Sequence, residues 1–333
     1  MKAVVVSAPG SVGVERLDDP APRRDEVLVA TSGCGLCGTD LHLIDGHLPD
    51  ALYPIIPGHE FAGTVVAVGR DVIGVREGDR VTAAPKIVCG VCHFCRIGRS
   101  NLCDHGRSIG VIGIDGACAE FVAVPASNTF VLPEAFPQRW GALIEPVSCA
   151  VHGFDLLGLR LGDHVLIYGA GTMGLILCQL AAAYPIGSVS VVDHNPERLA
   201  RASTMGANAT AARAADLDRP QGWEIVIDAT GAVPAIEDGL LRVRKGGTFL
   251  MFGVASHTAG ATFSPFRTYH EEVRIIGSRG VHHSFERAFE MLARGTVAAD
   301  AMLTHRMSLD DYPAAIDAFR RGDGVKIEIA AVI

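Results

Sequence analysis

No run of five lysines or arginines occurs anywhere in the 333 residues, and the formal net charge is −8. That leaves neither the basic footprint of a nucleic-acid surface nor a means of attracting an anionic membrane. The start, MKAVVVSAPG, has one lysine and a short apolar run, too little for a secretory signal. Internal repeats and low-complexity linkers are absent as well. One stretch, VLIYGAGTMGLILCQLAAAY (165–184), runs for twenty residues without a charge, the length of a membrane span. Three glycines within six residues split it into a short strand and a helix, and it would be the only span, so a buried α/β element is the better reading. The expected compartment is the cytoplasm, with no membrane or nucleic-acid partner. Without a secretory context, the nine cysteines do not read as a disulfide framework, and clustered ones read as metal ligands instead.

What is present is globular: 49% hydrophobic and 20% charged residues, over about twice the usual single-domain length. Up to about residue 135 the chain is short β segments cut by Gly and Pro (KAVVV, EVLVATSG, FAGTVVAVG, DRVTAAP, AEFVAVP), which suggests a compact barrel or sandwich. From about 148 apolar strands alternate with helices, the mark of βαβ units and a parallel sheet. After 282 two helices and a last strand complete the chain. The expected division is therefore a β-rich part over 1–147, a doubly wound α/β domain over 148–281, and a return over 282–333.

IYGAGTMG reads G-x-G-x-x-G at Gly169, Gly171 and Gly174, after a strand and opening a helix whose first residues include Thr172 and Met173. The glycines give a tight turn, close approach of backbone to a pyrophosphate and close helix–strand packing. Nineteen residues beyond Gly174, Asp193 ends the next strand, where an acid bonds the adenosine ribose hydroxyls. A carboxylate there repels a 2′-phosphate, and His194 and Asn195 bring no cation, so NAD is favoured over NADP. Arg198 is a candidate to stack on adenine. Phe252, Gly253 and Val254, at the end of a strand, are candidates to hold the nicotinamide end, and Arg279 to line the cleft.

CGVCHFCRIGRSNLC places Cys89, Cys92, Cys95 and Cys103 as C-x2-C-x2-C-x7-C. Four thiolates on a tight loop suit a closed, structural zinc site. An iron–sulfur cluster is the rival, disfavoured because the fourth cysteine is distant and is followed by Asp104 rather than proline. Elsewhere, PGHE sets His59 beside Glu60, CGLCGTDLH offers Cys37, Thr39 and His42, and ALIEPVSC offers Glu145 and Cys149. One Cys, one His and one carboxylate would leave a zinc position open for catalysis.

CGTDLH, PGHE, the four-cysteine loop, LIEP and GAGTMG, in this order, resemble the zinc-containing medium-chain dehydrogenases, and the likeness runs nearly end to end. It implies a GroES-like catalytic domain built from both chain ends around a central Rossmann domain, with zinc in the cleft between. It further implies Cys37, His59 and Glu145 as ligands of the catalytic zinc, with Glu60 in or beside the first shell. The pair at 59–60 is then tolerable because it sits on a turn before the strand. Glu145, where the simple alcohol dehydrogenases carry Cys, points to the polyol branch; threonine dehydrogenase is the nearest competitor. On this resemblance zinc acts as a Lewis acid on a secondary alcohol, NAD takes the hydride, and Thr39 and His42 relay the proton. A small-molecule polyol substrate and a homo-oligomeric state are expected.

Overall fold

The computed structural model describes residues 1–331 and divides into two compact units, Met1–Glu145 with Ala299–Ile333, and Pro146–Ala298. In the first unit, valine-rich segments that alternate buried and part-exposed residues form a seven-stranded sheet. Its order is Thr129–Val131, Arg80–Ala83, Glu60–Val68, Glu26–Gly35, Lys326–Ala330, Leu303–Ser308, with Phe121–Pro125 also on Glu26–Gly35. The strand Glu26–Gly35 shows the reason: from Val27 to Gly33 every second residue is buried, so one face belongs to the core. Val27, Val29, Phe61, Val65, Val81 and Ile329 meet there. The last strand of the chain pairs antiparallel with this early one, Glu328 opposite Gly35 and Ile329 opposite Cys34. Both chain ends thus build one sheet.

The second unit holds a six-stranded, wholly parallel sheet, ordered Ala209–Ala211, Ser188–Val192, His164–Tyr168, Trp223–Asp228, Val243–Met251, Arg274–Gly277. Counted from its first strand this is the order 3-2-1-4-5-6 of a dinucleotide-binding fold. His164–Tyr168 is buried along four of its five residues, as a strand covered on both faces must be. The uncharged stretch 165–184 resolves into this strand and the helix Thr172–Ala182. Among the described residues no helix is long and apolar enough to cross a membrane.

The second unit ends at Ala298, beyond the expected boundary at 281. The helix Phe285–Ala293 buries Phe285, Ala288 and Leu292. Ser284 Oγ lies 2.7 Å from Ser148 Oγ, and Arg287 clasps Asp155 through two hydrogen bonds, which ties this helix to Ile144–Asp155. Sequence rhythm marks the last parallel strand but not which core claims the helix after it.

Candidate functional site

In the parallel unit, the residues expected to hold a dinucleotide stand at the carboxyl ends of the strands. Gly169 follows His164–Tyr168 with φ +96°, a conformation open to glycine and strained for other residues. A Cβ on Gly174 would collide with the Gly169 carbonyl, so the third glycine sets the strand–helix approach. A Cβ on Gly171 would meet nothing within 4 Å, which leaves the turn open for a ligand to come against the backbone. Thr172 and Met173 open the helix directly after this turn, at the end that favours an anion. Asp193 follows Ser188–Val192. Its Oδ2 accepts the Ala170 N–H at 2.7 Å and its Oδ1 the Asn195 N–H at 2.8 Å, so the acid is locked to the glycine turn. Arg198 Nη1 is 3.9 Å from Asp193 Oδ2. Asn195 caps the helix Pro196–Thr204 through the N–H groups of Glu197 and Arg198.

Phe252, Gly253 and Val254 follow the strand Val243–Met251, and Val254 is exposed. Arg279, also exposed, follows Arg274–Gly277. Asp228, which the sequence reading passed over, organises this end. It is fully buried, and its carboxylate accepts the Thr230 and Gly231 N–H groups at 3.0 Å and the Thr230 hydroxyl at 2.6 Å. Its carbonyl accepts the N–H groups of Phe252 and Gly253. An acid closing the apolar run VID, directly before a turn, was the available signal.

In the first unit, the sulfurs of Cys89, Cys92, Cys95 and Cys103 all lie within 4.8 Å of one another. Cys92 Sγ is 3.9 Å from Cys103 Sγ. A tetrahedron with Zn–S bonds of about 2.3 Å has S···S edges of about 3.8 Å, so the spacing fits zinc. The loop supplies the polarity thiolates want. The Cys89 N–H points to Cys103 Sγ and the Cys92 N–H to Cys89 Sγ, both at 3.3 Å. Backbone N–H groups lower the thiols of Cys92 and Cys103 below the usual cysteine range.

A second set in this unit gathers Cys37, His59 and Glu60, with one donor atom of each within 4.8 Å of the others. Cys37 precedes the helix Gly38–Ile44, and its N–H is held by Asp40 Oδ2 at 2.8 Å. Gly58 turns the chain with φ +101°, and a Cβ there would strike the sulfurs of Cys34 and Cys118 at 2.7 Å. His59 lies outside the strand and Glu60 is its first residue. Neighbours can therefore face one point, as the turn reading of PGHE required.

Burial alone would push the His59 pKa down. The Cys37 thiolate, which also bonds the ring, and the carboxylates of Asp40 and Glu145 outweigh it, and the value rises well above the ordinary histidine range. His59 Nδ1 is buried without a hydrogen bond, 3.9 Å from the likewise unbonded Asp40 Oδ1. An orphaned imidazole nitrogen among a thiolate and carboxylates fits a divalent cation. Glu145, buried in the first turn of Ile144–Asp155, acts by its charge on His59 and Glu60 but lies outside the close group of three. Thr39 Oγ1 is 3.5 Å from Cys37 Sγ, and His42 follows one turn later, its ring 6.0 Å from that of His47. Two members escaped the sequence reading. Asp40 sits inside the quoted CGTD motif, and Lys326 is a fully buried lysine in the apolar strand of GVKIEI.

Residues 23–134 match the alcohol dehydrogenase GroES-like domain, and residues 172–294 match the zinc-binding dehydrogenase family. D-arabinitol dehydrogenase 1 of Uromyces fabae is 33% identical, over 99% of this chain and 97% of that protein. The chain belongs to the zinc-containing medium-chain dehydrogenases. As such a dehydrogenase it is an oxidoreductase of CH–OH groups, with the GroES-like and Rossmann parts that its motifs implied. L-threonine 3-dehydrogenase of Rhizobium rhizogenes is 31% identical, over 98% of this chain and 97% of that one. Among solved structures, a zinc-binding dehydrogenase of Sinorhizobium meliloti 1021 bound to NADP superposes with a TM-score of 0.92 at 33% identity, over 99% and 98% of the two chains.

Proposed function

We propose that this dehydrogenase oxidises a secondary hydroxyl within a polyol, a pentitol or hexitol, to the ketose, and passes the hydride to NAD. The observation that carries the proposal is the donor set at Cys37. One thiolate and one imidazole are joined by the carboxylates of Glu60 and Glu145, a more polar surrounding than a second thiolate would make. Carboxylates beside the reacting centre accept hydrogen bonds from the neighbouring hydroxyls of a polyol. A site that bonds those hydroxyls discriminates against substrates lacking them, because its polar groups would be left unpaired.

Cys37, His59 and Glu145 hold the catalytic zinc in this reading, with Glu60 at its edge, and the four-cysteine loop holds a structural one. When bound, zinc supplies Lewis acidity toward the alcohol and the nicotinamide accepts the hydride. Asp40 fixes Cys37 by its backbone and faces His59, which orients both donors. Thr39, whose hydroxyl stands beside Cys37, would take up the alcohol proton as it releases its own, and His42 would carry the released proton to water. Gly169–Gly174 seat the pyrophosphate, Asp193 the adenosine ribose, and Arg198 the adenine. The loop at 252–254 and Arg279 take the nicotinamide end.

NAD is preferred although the S. meliloti relative carries NADP. The Asp193 carboxylate follows the second strand, where the ribose would lie and a 2′-phosphate would be repelled. Asp193→Ala should lower kcat/KM for NAD about 10- to 100-fold, the worth of hydrogen bonds to a charged group, and narrow the gap to NADP. A wild type that reduces NADP faster at equal low concentration overturns the assignment.

We also infer a homo-oligomer in the cytoplasm. Arg274–Gly277 is an edge strand, with the large exposed side chains of Phe266 and Tyr269 on the helix before it. The nine free cysteines suit a reducing compartment. The test of substrate is kcat/KM for sorbitol, xylitol and arabinitol against 2-propanol, ethanol and threonine with NAD saturating. Preference for a polyol is the expected result. Preference for threonine would move the protein to that neighbouring branch, and preference for a simple alcohol would refute the polyol reading.

A further inference from the structure

Asp228 closes the strand Trp223–Asp228 where the order of the parallel sheet reverses, with Tyr168 paired on one flank and Met251 on the other. A ligand of such a sheet lies across this point, outside the carboxyl ends of the strands. Three loops meet there. On one side the turn 229–231 touches the glycine turn. The Ala229 N–H donates to the Tyr168 carbonyl at 2.9 Å, and a Cβ on Gly169 would come within 2.9 Å of Thr230 Cγ2. On the other side it lies backbone against backbone on 252–254. A Cβ on Gly253 would fall 2.2 Å from the Gly231 nitrogen. One on Gly231, whose φ is +69°, would fall 2.3 Å from the Val254 carbonyl oxygen.

The bonds of Asp228 hold these loops in register. Its carbonyl accepts the Phe252 N–H at 3.0 Å and the Gly253 N–H at 2.7 Å, which bends the chain back directly after its last paired residue, Met251. Its carboxylate holds the facing turn: Oδ1 takes the N–H and the hydroxyl of Thr230, and Oδ2 takes the Gly231 N–H. The Thr230 hydroxyl in turn accepts the Ala232 N–H at 3.0 Å, at the start of the helix Val233–Arg242. A fully buried acid costs free energy unless its oxygens are bonded, and a carboxylate only accepts. We propose that Asp228 is the positioning residue for the nicotinamide: it sets 252–254 against the glycine turn, and so fixes where the ring stands once the diphosphate is seated. It acts through these loops and touches no reacting atom. This inference rests on the dinucleotide site proposed above and not on the metal.

The test compares two probes on the metal-loaded protein: NADH, and ADP-ribose, which has the diphosphate, both riboses and the adenine but no nicotinamide. Asp228→Asn keeps the shape but turns one acceptor oxygen into a donor, so one loop N–H loses its partner. The Kd for NADH should rise about tenfold, the worth of one such bond, while that for ADP-ribose stays within about twofold. Emission of the bound NADH should shift toward that of the free cofactor, because the ring is no longer held. Equal losses for the two probes would make Asp228 a structural support and overturn the proposal. So would unchanged affinity for both in a folded variant. Should Asp228→Asn fail to fold, Thr230→Val decides the question, since it leaves the acid and removes one donor. It should weaken NADH alone, by about threefold, and equal or absent losses would overturn the proposal. A wild type that binds ADP-ribose as tightly as NADH would also overturn it, because the loops would then hold no ring. A wild type that binds neither probe would remove the dinucleotide reading, and this inference with it.

Discussion

At the scale of single residues, the two carboxylates near Cys37 differ in what they are bound to. Glu60 is tied to a buried ammonium, whereas Glu145 stands in the first turn of a helix, where the positive end of the backbone dipole favours an acid. The residue four places after Glu145 is Cys149, a softer donor for zinc and the natural rival for the ligand role. Glu145→Gln keeps the shape and removes the charge. It should cost about 100-fold in kcat/KM or strip the catalytic metal, while Cys149→Ser keeps most of the activity. Metal analysis beside initial rates checks both. The opposite ranking would assign the third position to the thiol and move the chain toward the simple alcohol dehydrogenases.

Elements add their own chemistry. The loop from Cys89 to Cys103 carries only a four-residue helix and one 3₁₀ turn, and it buries little apolar surface. A metal ion held by the four sulfurs would supply the folding free energy that its packing lacks. Cys95→Ser should lower Tm by about 10 °C or more, since each kcal/mol lost is worth about 2–4 °C in a chain of this order. Wild type should hold two zinc ions and no iron, and stoichiometric iron with sulfide would replace zinc by a cluster. In the parallel unit, the helix Val233–Arg242 is tied to its sheet by Asp238. This acid accepts from Tyr168 Oη at 2.6 Å and from Arg242 at 2.8 Å. Burial alone would raise its pKa, but these donors prevail and hold it below the ordinary value of 3.8. A depressed carboxylate stabilises the fold above the unfolded-state pKa and stops doing so as the pH falls through the folded value. Tm should therefore drop on acidification below about pH 4, and Asp238→Asn should be less stable at neutrality with a flatter acid limb. An unchanged pH profile would show that the contact contributes nothing.

The whole molecule was legible wherever the signal was local. The glycine turn, the acid at the next strand's end and the cysteine spacing each encode a geometry within some twenty-five residues, and the structure brings each group together. The α/β character followed from rhythm alone. Long-range pairing was illegible. Lys326 reads as a surface charge until its strand is placed beside Gly35, and the helix Phe285–Ala293 reads as the start of the return until its buried face is known. Asp40 and Asp228 were hidden differently, because an acid that accepts the backbone N–H groups of its own loop looks like any turn residue. At this scale the exposed edge by Phe266 has its own prediction. Phe266→Glu should lower the oligomer mass seen by light scattering and leave the monomer folded. An unchanged mass would place the contact elsewhere.

The late strand Lys326–Ala330 also bears on the order in which the site can be made. Lys326 and Glu60 are 266 residues apart in the chain. A ribosome therefore exposes Cys37, His59 and Glu60 long before it delivers the lysine that confronts them. Through most of synthesis the acid of PGHE has no buried cation to answer it, and the strand Glu26–Gly35 lacks one neighbour. A nascent chain in that condition carries the candidate metal donors beside an unfilled sheet position. Only the arrival of the final residues completes the sheet and gives Glu60 its buried partner, so translation arrested shortly before Lys326 should yield chains that turn over no alcohol.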